Sequence, residues 1–236
     1  VEQMTEGKID TLVWLDPETL LLGPPLEYDL KPGAQAAVAP VSLVNIGQSP
    51  DEPIDGFWAP IYRRCGLDPA DIYAVETFVD GKKVRVWLNC GMFSVRPERG
   101  LLREWAGILD EFLRDGDYQQ AAVSDALHRT FLHQAVISTL IAAKLKQPEI
   151  HWLPKGYNYP LFCHGLGYPG ATGTVHLIPD RKKVKTIDEL TSVFVESLLA
   201  ARPDWLQYLP PASEPLRAWL VQEVREIYGR QESKEP

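Results

Sequence analysis

The chain has 236 residues, of which 45% are hydrophobic and 24% are charged, and this composition excludes bulk disorder and favours a globular domain. The formal net charge is -8, and no basic block is present, which argues against partners such as nucleic acid or anionic lipid. No apolar run approaches the roughly 18 residues of a membrane span, and the polar N-terminus is unlike a signal peptide.

Short β-rich runs predict strands in the first part of the chain. Residues 11–15 (TLVWL) are apolar without a helical period, which predicts a buried strand. Residues 36–44 predict a second strand, broken at Pro40. Between residues 54 and 62 the apolar side chains recur at helical spacing, and Gly66 is well placed to end that helix.

A hairpin is predicted in the middle of the chain. Residues 73–79 and 83–88 are rich in β-forming side chains, and Asp80-Gly81 between them is a strong turn signal. Residues 89–95 (NCGMFSV) continue as a strand. This part of the chain is therefore predicted to be a β-sheet region.

Helices dominate the predictions for the second half. Apolar side chains at a period of about 3.6 residues predict helices at residues 101–112, 131–145, 187–201 and 215–228. The helix at 131–145 is apolar on most faces and is expected to be largely buried. Short apolar runs predict strands at residues 150–153 and 174–178. Residues 154–173, rich in glycine and proline, predict a long loop of the kind that often carries function.

Two carboxylates, Asp16 and Glu18, follow the first predicted strand. On an extended chain, side chains two positions apart point to the same side. Hard oxygen ligands of this kind suit Mg²⁺ or Mn²⁺, and such a cation would neutralise a diphosphate leaving group. The alternative is a strand that ends in a proline turn with two solvated acids.

Two polar stretches are further candidates. Gly91 allows close approach of a ligand or a backbone, and Asn89 offers a donor and an acceptor for a sugar hydroxyl. The alternative is a glycine bulge in which the asparagine closes a turn. His133 and Gln134 lie in a predicted buried helix, where they either contact a ligand or bond to neighbouring backbone.

The loop region adds histidines and cations. His176 sits within an apolar run and could complete an oxygen-rich metal site, whereas His164 faces either a substrate or solvent. Lys183 belongs to a basic run that either binds phosphate or forms a solvated loop.

Taken in order, these motifs resemble the GT-A-type nucleotide-diphospho-sugar transferases, including glycogenin-like enzymes and related microbial proteins. The resemblance covers about residues 9–180 and rests on the order and spacing of its motifs. They are Asp16-Pro17-Glu18, Asn89-Cys90-Gly91-Met92-Phe93, Arg96-Pro97-Glu98 to Trp105, Phe131-Leu132-His133-Gln134, Leu153-Pro154 to Pro160, and His176.

The resemblance implies an α/β fold in which a GT-A-like, partial mixed sheet is flanked by helices. A C-terminal helical appendage, residues 181–236, is expected to pack on the domain formed by residues 1–180. The implied reaction moves a sugar from a nucleotide-diphospho-sugar donor to an unknown acceptor with Mn²⁺ or Mg²⁺.

The resemblance also implies roles for particular residues. Asp16 would contact the nucleotide ribose or the metal, Glu18 would bind the metal, and His176 would complete its shell. Asn89 and Gln134 would face the sugar or the acceptor. The candidate catalytic residues are therefore Asp16, Asn89 and Gln134. The candidate contacts to the donor nucleotide are Asp16 and Lys183.

Three departures from the family pattern bear on function. The second acid is Glu18 where the family has Asp, and His176 is not followed by the usual glycine and lysine. The sequence begins just before the first acidic motif, so the N-terminal nucleotide-binding half is expected to be missing. These departures leave open an alternative function, a non-catalytic GT-A-like protein that binds carbohydrate or a protein partner.

The remaining expectations concern cysteines, location and assembly. Three widely spaced cysteines favour a reducing compartment, and hence a cytoplasmic protein, over a disulfide frame. A hydrolase that uses Cys90 or Cys163 with a histidine is a third hypothesis. The aromatic residues of the C-terminal helices could form a homodimer surface, form an acceptor platform, or pack on the sheet.

Overall fold

The computed structural model describes residues 1–16, 19–21, 25–123, 126–154, 157–158 and 186–187. The chain divides into two compact units. The first comprises Val1–Pro17 and Pro25–Lys155, and the second comprises Glu18–Pro24 and Gly156–Pro236. The predicted strand at 174–178 and the predicted C-terminal helices lie outside the described residues, except that Ile187 belongs to a strand.

The described secondary structure alternates between strands and helices. The strands are β1 (Leu12–Leu15), β2 (Leu20–Leu21), β3 (Ala36–Pro40), β4 (Ala74–Glu76), β5 (Lys83–Arg85), β6 (Leu88–Val95), β7 (Ile150–Trp152) and β8 (Thr186–Ile187). The helices are α1 (Glu2–Thr5), α2 (Trp58–Cys65), α3 (Leu101–Arg114), α4 (Gly116–Ala122) and α5 (Ala126–Lys144). The strands predicted at 36–44, 89–95 and 150–153 are thereby confirmed.

The first unit is built on a four-stranded sheet in the order β1-β6-β3-β7. Both β1 and β3 run antiparallel to β6, and β3 runs parallel to β7. Three strands therefore point in one direction and β6 opposes them. The protein has a mixed α/β fold with helices against the sheet, which confirms the predicted class at this level.

Smaller strand pairs accompany this sheet. Strands β4 and β5 form the predicted antiparallel hairpin, and Gly81 takes the left-handed conformation that the turn requires, with φ of 61°. In the second unit, β2 pairs antiparallel with β8.

Strand β6 contains a large bulge opposite β3. Ala37 pairs with Ser94, but Ala39 pairs with Asn89, so a single β3 residue, Val38, faces residues 90–93 of β6. Because of this bulge, Cys90 and Phe93 both face the same hydrophobic core although they are three positions apart.

The core of the first unit lies between the sheet and helices α2, α3 and α5. Its largest fully buried side chains are Trp58, Trp87, Phe93, Phe112, Ile61, Leu88, Leu101, Ile137, Leu140 and Ile141. Helix α5 is buried without a break from Gln134 to Ile141, as its apolar sequence predicts.

None of the helices in the described part of the chain has the length and apolar character needed to cross a bilayer.

One detail differs from the predictions. Residues 11–15 were expected to be buried, but Trp14 is 36% exposed and Leu15 is 46% exposed, because β1 pairs with β6 alone in the described sheet. Pro97 begins a separate 3-10 turn, Pro97–Arg99. Gly100, with φ of 64°, reverses the backbone before α3 starts.

The N-terminus of α3 is capped by a residue distant in sequence. Glu2 is only 4% exposed, and its carboxylate accepts hydrogen bonds from the amides of Leu102 at 3.1 Å and Arg103 at 2.8 Å. These amides have no partner inside the helix, and the positive end of the helix dipole favours a carboxylate there. Glu2 thus ties α1 to α3.

We expect Glu2→Ala to lower the free energy of unfolding by about 1–2 kcal/mol, because two partly buried amides in the first turn of α3 lose a charged acceptor. Urea denaturation measures the change. The control is Glu6→Ala, which removes a partly exposed ion pair with Arg103 and should cost less than about 0.5 kcal/mol. Equal losses in the two variants would show that Glu2 does not act as the cap.

Candidate functional site

The candidate site lies where β1 ends. The amide of Asp16 donates a hydrogen bond to the carbonyl of Gly91 at 2.7 Å, which extends the β1–β6 pairing by one residue. This bond fixes the backbone of Asp16 beside the bulge of β6. Two stretches that the sequence separates by more than seventy residues are thereby brought together.

Asn89 shapes the bulge itself. Its side-chain Oδ1 accepts a hydrogen bond from the amide of Gly91 at 2.7 Å. The Asn89 side chain therefore closes a turn within the bulge, which was one of its two predicted roles. A contact between Asn89 and a sugar remains a prediction.

Helix α5 holds β6 through two buried polar side chains. Oε1 of Gln134 accepts from the amide of Cys90 at 3.4 Å. The hydroxyl of Ser138 accepts from the amide of Leu88 at 2.9 Å and lies 2.7 Å from the carbonyl of Gln134. Gln134 therefore bonds to neighbouring backbone, which was one of its two predicted roles, and it belongs to the same cluster as Asn89.

His133 lies next to Gln134 and interacts electrostatically with Asp16. Burial lowers the pKa of His133, while the negative charge of Asp16 and a hydrogen bond to the backbone of Thr130 partly oppose that shift. The His133 imidazole therefore stays neutral down to a lower pH than a free histidine does. When it is neutral and donates to Thr130, its second ring nitrogen is an acceptor.

A group of aromatic rings links β1 and β6 to His133. The rings of Trp14 and Trp105 meet edge to face with centroids 4.9 Å apart, and the rings of Trp14 and Phe93 stack at 6.4 Å. Trp105 lies 6.5 Å from the His133 ring, and its Nε1 donates to the His133 carbonyl at 2.8 Å. The sequence could have indicated that Trp14 lies beside Asp16, because side chains two positions apart on a strand point to the same side.

The structure brings together three of the six predicted site residues, Asp16, Asn89 and Gln134. The other three, Glu18, His176 and Lys183, lie outside the described residues. In the part of the chain that is described, no three His, Cys, Asp or Glu side chains form a group that could hold a metal. Among the described residues Asp16 is the single predicted metal ligand, and its carboxylate is the kind of hard oxygen that Mn²⁺ or Mg²⁺ takes.

The described cysteines have the character of packing residues. Cys65 is buried, and burial raises the pKa of its thiol to about 12. Cys90 is also buried, with Sγ 3.4 Å from Oε1 of Gln134. These surroundings argue against either thiol as a nucleophile, while Cys163 lies outside the described residues.

Comparisons with known proteins assign no family. No protein-family model matches the chain, and no curated protein matches it. The interpretation of the site therefore rests on its geometry and on the sequence motifs.

We expect Cys65 to resist iodoacetamide in the native state up to about pH 9, because its pKa of about 12 keeps the thiol protonated. Unfolding returns a cysteine to a pKa of about 8.5, so labelling at pH 8 in urea should become fast. Mass spectrometry of a Cys163→Ser variant follows the two described cysteines. Rapid native labelling at pH 7 would contradict this prediction.

Adjacent substitutions in α5 test the anchoring of β6. Ser138→Ala should lower the free energy of unfolding by about 1–3 kcal/mol, since it leaves the buried Leu88 amide unpaired. The matched control is Thr139→Val, because the buried Thr139 hydroxyl has no partner among the described residues. That control should be neutral or stabilising in urea denaturation. Equal destabilisation by both substitutions would contradict the role given to Ser138.

Proposed function

We propose that this protein is a metal-dependent glycosyltransferase with a GT-A-like fold, which moves a sugar from a nucleotide-diphosphate donor to an acceptor. The observation that supports it is the convergence of Asp16, Asn89 and Gln134 at the end of β1. The order of the motifs in the sequence indicates the same three residues.

Asp16 has the central part in this proposal. Its carboxylate would hold Mn²⁺ or Mg²⁺, and that cation would neutralise the diphosphate of the donor. The hydrogen bond from its amide to Gly91 fixes the Cα of Asp16, so that the carboxylate starts from a defined position. The other predicted ligands of the metal, Glu18 and His176, and the predicted phosphate contact, Lys183, lie outside the described residues.

The neighbouring residues would organise the sugar side of the site. Gln134 and Ser138 hold the β6 backbone, and Asn89 holds the bulge at Gly91. A neutral His133 would offer an acceptor nitrogen to a hydroxyl without bringing a positive charge near the metal. These residues therefore position groups rather than exchange protons.

A second function, a non-catalytic protein that binds carbohydrate or a protein partner, has a specific observation in its favour. The side-chain oxygens of Asn89 and Gln134 are already used by backbone amides of β6. Such internal bonds are what a structural role requires. Turnover of any nucleotide sugar would eliminate this alternative.

Thermal unfolding with a panel of nucleoside diphosphates and their sugars, with and without Mn²⁺, tests the proposal. A ligand at 100 times its dissociation constant stabilises the folded state by about 2.7 kcal/mol. We expect a metal-dependent shift with one nucleotide, which Asp16→Ala abolishes.

The matched control is Asp10→Ala, because the Asp10 side chain is 95% exposed and lies outside the cluster. This variant should keep the full ligand-dependent shift. Absence of a metal-dependent shift with every nucleotide would refute the proposed function. Loss of the shift in both variants would mean that it reflects net charge rather than the site.

A further inference from the structure

Trp105 lies where the three elements of the candidate site meet. Its ring contacts Trp14 on β1 edge to face at 4.9 Å and Phe93 on β6 at 6.0 Å. Its Nε1 donates a hydrogen bond to the carbonyl of His133 on α5 at 2.8 Å. Trp105 itself belongs to α3, which supplies none of the predicted site residues. One side chain from a fourth element therefore joins β1, β6 and α5.

The contacts of Trp105 adjoin site residues in the sequence. Trp14 stands two positions before Asp16, and His133 stands directly before Gln134. Because β1 pairs with β6 alone in the described sheet, the end of β1 depends on side-chain packing as well as on that one ladder. The placement of the Trp105 indole therefore bears on the distance between Asp16 and α5.

The Trp105 indole has a fixed orientation. The residue is 5% exposed, its ring packs on two other rings, and its N–H group is bonded. The His133 carbonyl can accept this bond inside a helix because a carbonyl oxygen has two lone pairs. The first turn of α3 is itself held by the carboxylate of Glu2. A site is held to a narrow geometry by supporting residues that are locked in this way.

We propose that Trp105 is a positioning residue of the candidate site. It sets the spacing between the end of β1, which carries Asp16, and the turn of α5 that carries His133 and Gln134. Trp105 touches no ligand in this role and acts through the elements that it joins. The importance of the spacing for the reaction rests on the proposed function, in which a cation on Asp16 and side chains of α5 act on the same donor.

Trp105→Phe tests the positioning role, and Trp58→Phe is its matched control. Trp58 is also buried, at 1% exposed, and its Nε1 likewise donates to a backbone carbonyl, that of Ile46, at 2.9 Å. It lies on α2 and stacks on rings outside the candidate site. Both variants lose an indole hydrogen bond and part of a buried ring, so both should lower the urea midpoint to a similar extent.

Hydrogen exchange of the Asp16 amide is the first readout, measured by NMR. This amide bonds to the Gly91 carbonyl at the edge of the described sheet, so we expect it to exchange by local opening rather than by global unfolding. Trp105→Phe should speed its exchange about tenfold, whereas Trp58→Phe should leave it within about twofold. A loss of global stability alone would not produce this difference.

Isothermal titration with a nucleoside diphosphate and Mn²⁺ is the second readout. The dissociation constant should rise about tenfold in Trp105→Phe and stay unchanged in Trp58→Phe. Trp14→Phe replaces Trp105→Phe if that variant does not fold, because Trp14 is 36% exposed and its trimming leaves the Trp105 hydrogen bond in place. It should change both readouts in the same direction.

The outcomes separate the positioning role from the proposed function. If the native protein binds the probe and Trp105→Phe binds it equally well, or if Trp58→Phe changes both readouts as much, the positioning role is refuted and the donor site stands. If no nucleotide binds the native protein but Asp16 exchange rises in Trp105→Phe alone, the positioning role stands and the transferase proposal fails. If neither effect is seen, both are refuted.

Discussion

The anchoring of β6 to α5 is the interaction on which the described site depends. Ser138 bonds to the amide of Leu88, and Gln134 bonds to the amide of Cys90, at the point where β6 leaves its register with β3. A bulged strand loses ladder hydrogen bonds, and its buried amides need other acceptors. Side chains from the helix supply them, which allows the bulge to exist in a buried strand.

The bulge determines which residues can meet. It turns Cys90 and Phe93 toward the same core. The bond between the Gly91 carbonyl and the Asp16 amide continues the regular β1–β6 register on the other side of β6. A regular strand would have continued its alternation and altered these positions. The direction of the β6 side chains near the candidate site therefore depends on one irregularity in the sheet.

Opposing electrostatic effects act on the site. Burial disfavours a charged His133, while Asp16 favours one, and burial prevails. A neutral imidazole beside a carboxylate leaves the local charge negative, which suits a site that is proposed to attract a divalent cation.

Much of the fold followed from local sequence. Asp80-Gly81 predicted the hairpin because only a few residues adopt that turn, and the apolar run after Phe131 predicted a buried helix because it has no polar face. Both signals depend on neighbours in the chain. The cap by Glu2 could not be predicted, since its partners at Leu102 and Arg103 are about a hundred residues away.

The sequence by itself singled out Asp16, Asn89 and Gln134 as candidate residues, because their motifs stand in an order that resembles one family. Only the tertiary structure decided how they are used. Strand register and the α5–β6 contact directed the oxygens of Asn89 and Gln134 to backbone amides and placed His133 and Trp14 beside Asp16. Such pairings depend on the spatial proximity of distant segments, which no local sequence pattern encodes.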